Sequence, residues 1–221
     1  MRWIVLLWIA ALLQGAGLEW LQGERLNVKH TDGKTYVVTR YIPEACRGIP
    51  IQPEEVWQRE GVPYECIQPL VTTMGTISMM HVAEGVETFG EVETLAFLKA
   101  MRPDGRKMLI DTRSSDWYEH ETIPGAINIW YKIMVQFNNF AEDFDLFMKQ
   151  MKIVKHEDGS LDFSKAPVLL LFCNGPWCTQ SPNAIRALLR LGYPAEKLKW
   201  YRGGMHDWKS MAMTTPVRQP R

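Results

Sequence analysis

The chain has 221 residues, enough for one domain of ordinary size plus an extension. Lys and Arg number 25 and Asp and Glu number 25, so no basic surplus points to nucleic acid and there is no acidic tail. A hydrophobic content of 46% is sufficient for a packed core.

Met1-Arg2 is a short positive start, followed by the apolar run Trp3–Leu13 and the small residues Gly15-Ala16-Gly17. That order fits residues 1–17 as a cleaved export signal, because a membrane-spanning helix needs roughly 20 apolar residues. Leu18, Trp20 and Leu21 leave an uncleaved anchor as the alternative. Either way the expected location is periplasmic or secreted, a compartment that permits disulfides. Residues 18–89 are expected to form an irregular N-terminal extension, punctuated by Pro43, Pro50, Pro53 and Pro63. Asp32-Gly33 before the β-rich Lys34–Ile42 predicts a short hairpin there. A Cys46–Cys66 disulfide, closing a loop of about 20 residues and worth roughly 3 kcal/mol in the chain-entropy model, is the expected tether. Met79-Met80-His81 offers donors that suit copper, but three adjacent residues rarely converge on one ion.

From Gly90 the pattern changes. Val92, Leu95 and Phe97-Leu98 recur near helical spacing. Met108–Asp111 reads as a short buried strand ending in an acid. Trp117–His120 reads as a helical turn, and Ile123–Ile129 as a turn into a strand. Phe140, Phe144, Phe147 and Met151 share one face of an amphipathic helix, with acids near its start and lysines near its end. His156–Ser164 reads as a polar connection. Val168–Phe172 is an apolar run that predicts a strand buried on both faces. Ile185, Leu188 and Leu189 form the inner face of the next helix, with Gly192 as its stop. Leu198–Tyr201 is a last strand, and Arg202–Trp208 a turn into a final short helix. Strands alternating with helices predict a mainly parallel sheet covered by helices over residues 90–215.

The chemistry centres on Cys173, directly after the buried strand. The loop Asn174-Gly175-Pro176-Trp177-Cys178-Thr179-Gln180-Ser181 follows, and Ser181-Pro182 is expected to cap and open a helix. A cysteine between a strand's carboxyl end and a helix N-terminus is expected to have a lowered pKa and to act as an exposed nucleophile. Cys178 completes a Cys-x4-Cys pair. It has three open readings: a resolving thiol, the sulfur carrier or half of a dithiol redox pair, or a spectator. Two cysteines without a further His or Cys pair do not make a closed zinc site, so no metal is expected. Asp111 and Arg113 are expected to pair structurally. Arg202 and His206, after the last strand, are candidates to supply positive charge to the loop.

Three stretches carry a family resemblance: Leu109–Arg113 with Ile123–Asn128; Cys173 with Ser181, Ala184, Leu188 and Gly192; and Tyr201–Gly204 with Trp208. Together, in this order, they resemble a rhodanese-like sulfurtransferase domain. The resemblance implies an open, mainly parallel α/β sheet flanked by helices. It also implies that a Cys173 persulfide passes a sulfane sulfur from a small donor to a thiol or other nucleophilic acceptor, without a cofactor. The implied partners are that donor and acceptor, and another exported sulfur-metabolism or redox protein. The loop is about two residues longer than the family's usual six and lacks Arg and Lys, which counts against the dianion thiosulfate as donor and against phosphatase chemistry. A dithiol redox or binding role for the Cys173/Cys178 pair is the alternative.

Overall fold

The computed structural model describes residues 26–39 and 78–216. Residues 1–17, read above as an export signal, and both Cys46 and Cys66 lie outside the described residues. Among the described residues no helix is long and apolar enough to cross a membrane.

A five-stranded, wholly parallel sheet forms the centre. Its strands are β3 (Glu87–Phe89), β4 (Lys107–Asp111), β5 (Ala126–Asn128), β8 (Val168–Phe172) and β9 (Leu198–Tyr201), in the order β3-β9-β8-β4-β5. The apolar run of β8 takes the middle position, where both faces must be covered. Its side chains alternate between two cores. Leu169 and Leu171 join Ile110 and Trp200 on one face. Leu170 and Phe172 join Leu109 and Tyr201 on the other. All eight are at most 1% exposed. At about 1.5–3 kcal/mol for each large apolar side chain removed from water, this stack is the main fixed point beneath the site.

The first face is covered by α3 (Tyr131–Val135), α4 (Ala141–Gln150) and α5 (Gln180–Arg190). In α4 the expected face holds: Phe147 and Met151 are buried, and Phe144 stacks on Phe147 at 5.8 Å. In α5, Ala184, Ile185 and Leu188 point inward, and Gly192 ends the helix at a φ of +95°, which glycine adopts without strain.

The second face is covered by α1 (Glu91–Ala100), α6 (Gly204–Ser210) and the hairpin of β1 (Leu26–Lys29) with β2 (Thr35–Val38). Glu93 secures the start of α1 by accepting the Gly90 N–H at 3.0 Å, and the helical turn expected at Trp117–His120 is α2 (Ser115–His120). The hairpin turns at Asp32-Gly33 as its residues predict, and it buries Leu26, Val28 and Val38 against the domain.

Three elements were not legible in the sequence. The polar connection after α4 contains a small antiparallel hairpin of β6 (Val154–Lys155) and β7 (Leu161–Asp162). The helix α3 interrupts the stretch between β5 and α4. The sheet's edge strand β3 lies before Gly90, inside the segment read as extension. Each is five residues or shorter, too short to establish a period.

Candidate active site

The chain leaves β4 toward β5 on one side and later returns through β8 and β9 on the other. The crevice at the carboxyl ends of β4 and β8 is therefore a topological switch point, where open α/β sheets collect their chemistry. Three segments meet there: Asp111–Arg113 after β4, the loop Cys173–Thr179 after β8, and Arg202–Gly204 after β9.

The loop is clamped by backbone from both sides. Met205 N–H donates to Cys173 O at 3.0 Å, and His206 N–H donates to Asn174 O at 2.8 Å. This approach brings Gly204, at a φ of +56°, so close that a Cβ there would overlap Cys173 O and sit 2.8 Å from Gly175 N. Gly175 is fixed in the same way, since a Cβ would lie 2.6 Å from the Trp177 ring. Cys178 N–H closes the loop on Gly175 O at 2.9 Å. On the outer rim Ser78 N–H donates to Pro176 O at 2.6 Å, and Arg202 donates to Ser78 O through Nε at 3.2 Å and Nη2 at 2.9 Å.

The two cysteines are not equivalent. Cys173 is 2% exposed and Cys178 is 7% exposed. Burial pushes the Cys173 thiol well above its ordinary range, and its hydrogen bond to Cys178 and the charge there act in the same direction. Cys178 moves the other way, to about 7. The hydrogen bond from the Cys173 thiol is the largest cause, burial opposes it, and the backbone N–H groups of Gln180 and Asn174 and the positive charge of Arg113 add smaller downward effects.

This corrects the expectation for Cys173. A position at the end of a buried strand does not make it exposed: the Met205 N–H of α6 binds its carbonyl and the Ser181 hydroxyl of α5 binds its sulfur, and the residue is buried. Backbone amides act on both sulfurs, those of Gln180 and Asn174 on Cys178 and that of Ser181 on Cys173.

Ser181 is also reassigned. The helix α5 begins at Gln180, with Thr179 as its cap residue, so Ser181 is neither the cap nor exposed. Its buried hydroxyl donates to Cys173 Sγ at 3.1 Å and accepts the Trp200 Nε1–H at 3.1 Å.

Of the three candidate charge partners, Arg113 is the one whose charge acts on Cys178. It is 3% exposed and held by Asp111, with Nη2 at 2.7 Å from Oδ2 and Nε at 3.0 Å from Oδ1. It also donates to the backbone carbonyl of Glu121, while the Thr122 hydroxyl donates to Asp111 Oδ2 at 2.8 Å. The buried pair is thus both structural, as its spacing predicts, and a source of charge for the loop. Arg202 is engaged with Ser78. His206 Nδ1 lies 2.8 Å from Asp207 Oδ1, and its ring meets the half-buried Trp177 edge-on at 5.0 Å.

Thr179 is exposed at the rim of a cavity of about 200 Å³, with Pro182, Arg186, Trp200 and Ser78 around it. Gln180 Oε1 is buried and has no hydrogen-bond partner among the described residues. No group of three or more His, Cys, Asp or Glu gathers among the described residues in an arrangement for a metal. Trp200, Ser78 and Gly204 are site residues that spacing did not identify. Only Gly204, in a Gly-Gly pair after a strand, carries a signal, that of close backbone approach.

The family model for the rhodanese-like domain matches residues 94–211, more than half of the chain, and the chain belongs to that family. Solved structures similar to it include three. The BH2092 protein of Bacillus halodurans is 20% identical, with a TM-score of 0.42 over 59% of this chain and 77% of that one. A thiosulfate sulfurtransferase from Pseudomonas aeruginosa is 18% identical, with a TM-score of 0.40 over 62% of this chain and 21% of that one. The Rhodanese_3 like domain of the Alr3790 protein of Anabaena is 17% identical, with a TM-score of 0.32 over 50% of this chain and 98% of that one. No curated protein matches the chain.

Proposed function

We propose that the protein is a sulfurtransferase that accepts a sulfane sulfur on Cys178. What supports this most directly is the lowering of the Cys178 thiol to about 7, by the Cys173 thiol first and by the Gln180 and Asn174 amides after it. A thiolate attacks a sulfane sulfur, so an ionised thiol near neutral pH is what the first step requires. The Cys178 thiolate bonds to the outer sulfur of the donor, whose sulfur–sulfur bond breaks with the electron pair leaving on the donor fragment. The resulting persulfide is again an anion, and the same donors hold it. Arg113 supplies the positive charge that the loop itself lacks, but from a buried position where it is already paired. A monoanionic donor such as an organic thiosulfonate therefore suits the site better than a dianion.

The test is uptake of sulfur from benzenethiosulfonate by the full chain, read as an intact mass gain of about 32 Da, one sulfur atom. Cys173→Ser takes up the sulfur, and Cys178→Ser does not. Uptake by Cys178→Ser would return the role to Cys173. We place this activity outside the cytoplasm on the strength of the Met1–Gly17 segment, with another exported protein as sulfur or electron partner. Recovery of the mature protein from the cytoplasm with residues 1–17 intact would count against that placement.

A further inference from the structure

We propose that the cavity between α5 and the segment Ser78–Val82 holds the organic part of the sulfur donor, and that this donor is a thiosulfonate with an apolar body rather than an inorganic oxyanion. The proposal rests on sulfur acceptance at the loop after β8 and holds whichever of the two loop thiols accepts.

The cavity measures about 200 Å³. One wall continues from Thr179 in the loop to Pro182 and Arg186, which lie at i and i+4 on one face of α5. The opposite wall is the segment Ser78–Val82, which precedes the residues 94–211 that match the family model. Half of the cavity is therefore built by sequence outside the family domain. That wall is pinned at three points. Ser78 N–H donates to Pro176 O, Arg202 donates to Ser78 O, and the Thr88 hydroxyl donates to Met80 O. A wall fixed in advance spares a ligand the cost of ordering it. Trp200 also lines the cavity. Its indole N–H reaches Ser181 Oγ at 3.1 Å, and that hydroxyl reaches Cys173 Sγ at 3.1 Å, so cavity and reactive loop share a partition.

The lining sets the class of occupant. Met79, Val82, Pro182 and Trp200 present apolar surface, where a strongly hydrated dianion loses more than it gains. Arg186 and His81 are the ionisable groups of the lining, and no carboxylate lines it with them. Arg186 is exposed and has no carboxylate partner among the described residues. Its Nη1 makes a long bond of 3.4 Å to Asn183 Oδ1, which turns the guanidinium back toward the start of α5 and leaves most of its donors for a ligand. Parallel guanidinium N–H groups match an acid group that presents two oxygens. The volume lies below the roughly 300–1,000 Å³ of pockets that enclose larger ligands, so the occupant is a single ring or a short branched chain. A thiosulfonate combines these parts. Its apolar body fills the cavity, its sulfonyl oxygens meet Arg186, and its outer sulfur is left toward the loop. The loop thiolate bonds to that outer sulfur as the sulfur–sulfur bond breaks, and the electron pair leaves on the sulfonyl sulfur as a sulfinate. Two anions enter, and two leave, a persulfide and a sulfinate, with no proton or further reactant needed.

The test uses the full chain, reduced, with benzenethiosulfonate and thiosulfate as donors and benzenesulfinate as the probe of the cavity. Sulfur uptake is read by intact mass at increasing donor, and the Trp200 indole N–H resonance is followed as benzenesulfinate is added. Benzenethiosulfonate is expected to half-saturate uptake at a concentration about tenfold below that of thiosulfate. Benzenesulfinate competes with it and shifts the Trp200 resonance. Arg186→Gln raises the half-saturating concentration about fivefold without a matching fall in the maximal rate, and Arg186→Lys recovers part of the loss. Met79→Glu, at a position 79% exposed and so tolerant of change, acts in the same direction by placing a like charge at the mouth. Equal half-saturation by the two donors, or wild-type values in both Arg186→Gln and Met79→Glu, overturns the subsite while leaving sulfur acceptance intact. A Trp200 resonance that shifts with benzenesulfinate in a protein that takes up no sulfur overturns sulfur acceptance and leaves an organic-acid site. A protein that shows neither overturns both.

Discussion

At the residue scale the site is governed by where protons and charges are held. Ser181 links the core to the sulfurs, since its hydroxyl joins Trp200 Nε1 to Cys173 Sγ. In Ser181→Ala the indole N–H loses its acceptor inside the core, which costs about 1–3 kcal/mol. Urea denaturation of the two proteins measures this. The Asp111–Arg113 pair is more consequential, with both side chains at most 3% exposed. Arg113→Met leaves a buried carboxylate without its cation, a loss of about 3–5 kcal/mol. It also removes a positive charge acting on Cys178, so the midpoint for thiol alkylation moves upward from about 7. Retention of that midpoint in a folded Arg113→Met protein would remove Arg113 from the electrostatics of the site. The residue types were legible in the sequence, but the assignment between the two cysteines was not. Strand end, loop and helix start place a sulfur near amides, while its burial and its hydrogen bond from Ser181 depend on α6 and Trp200 arriving from later in the chain.

At the element scale the loop after β8 depends on how tightly α6 closes on it. Gly204→Ala puts a side chain at a φ of +56° and drives it into Cys173 O. The left-handed conformation alone costs about 1–2 kcal/mol, and the overlap adds to it by pushing the loop away from α6. The expected outcome is a lower thermal midpoint together with a slower rate of sulfur uptake. An unchanged uptake rate would show that the Gly204 contact does not shape the loop. The strand below is the second determinant. Leu170→Ala empties a fully buried position in β8 and costs about 2–5 kcal/mol, depending on how far the second core relaxes. These elements were the easiest to anticipate. The run Val168–Phe172 can only be a central strand, and the phenylalanine spacing of α4 can only be one helix face. What failed was local chemistry at the start of α5, where Ser181 is needed by the sulfur and is therefore not available as a cap.

For the whole molecule, the question is what the N-terminal hairpin contributes to a domain that has its own sheet. It is docked by apolar burial and by specific bonds. Val28 packs against the Gly125 turn, where a Cβ would approach to 2.6 Å. His30 Nδ1 accepts the Gly125 N–H at 3.3 Å, and Thr39 N–H donates to Thr214 Oγ1 at 2.9 Å. A chain beginning at Ser78 exposes the surface that Leu26, Val28 and Val38 cover. Its thermal midpoint should fall and its binding of an apolar dye should rise, whereas a midpoint equal to the full chain's would make the hairpin an ornament. The turn of this hairpin was legible in Asp32-Gly33. Its docking was not, because nothing in a local pattern says which surface a half-buried ribbon will cover.

The account stands on the identity of the reacting thiolate. Native, reduced protein is alkylated with limiting iodoacetamide across a pH series, and the labelled cysteine is located by peptide mass. Labelling at Cys178 with a midpoint near 7, and with Cys173 unmodified until the protein unfolds, is the expected result. First labelling at Cys173, or a Cys178 that reacts only near the ordinary thiol value of 9.0, would contradict it.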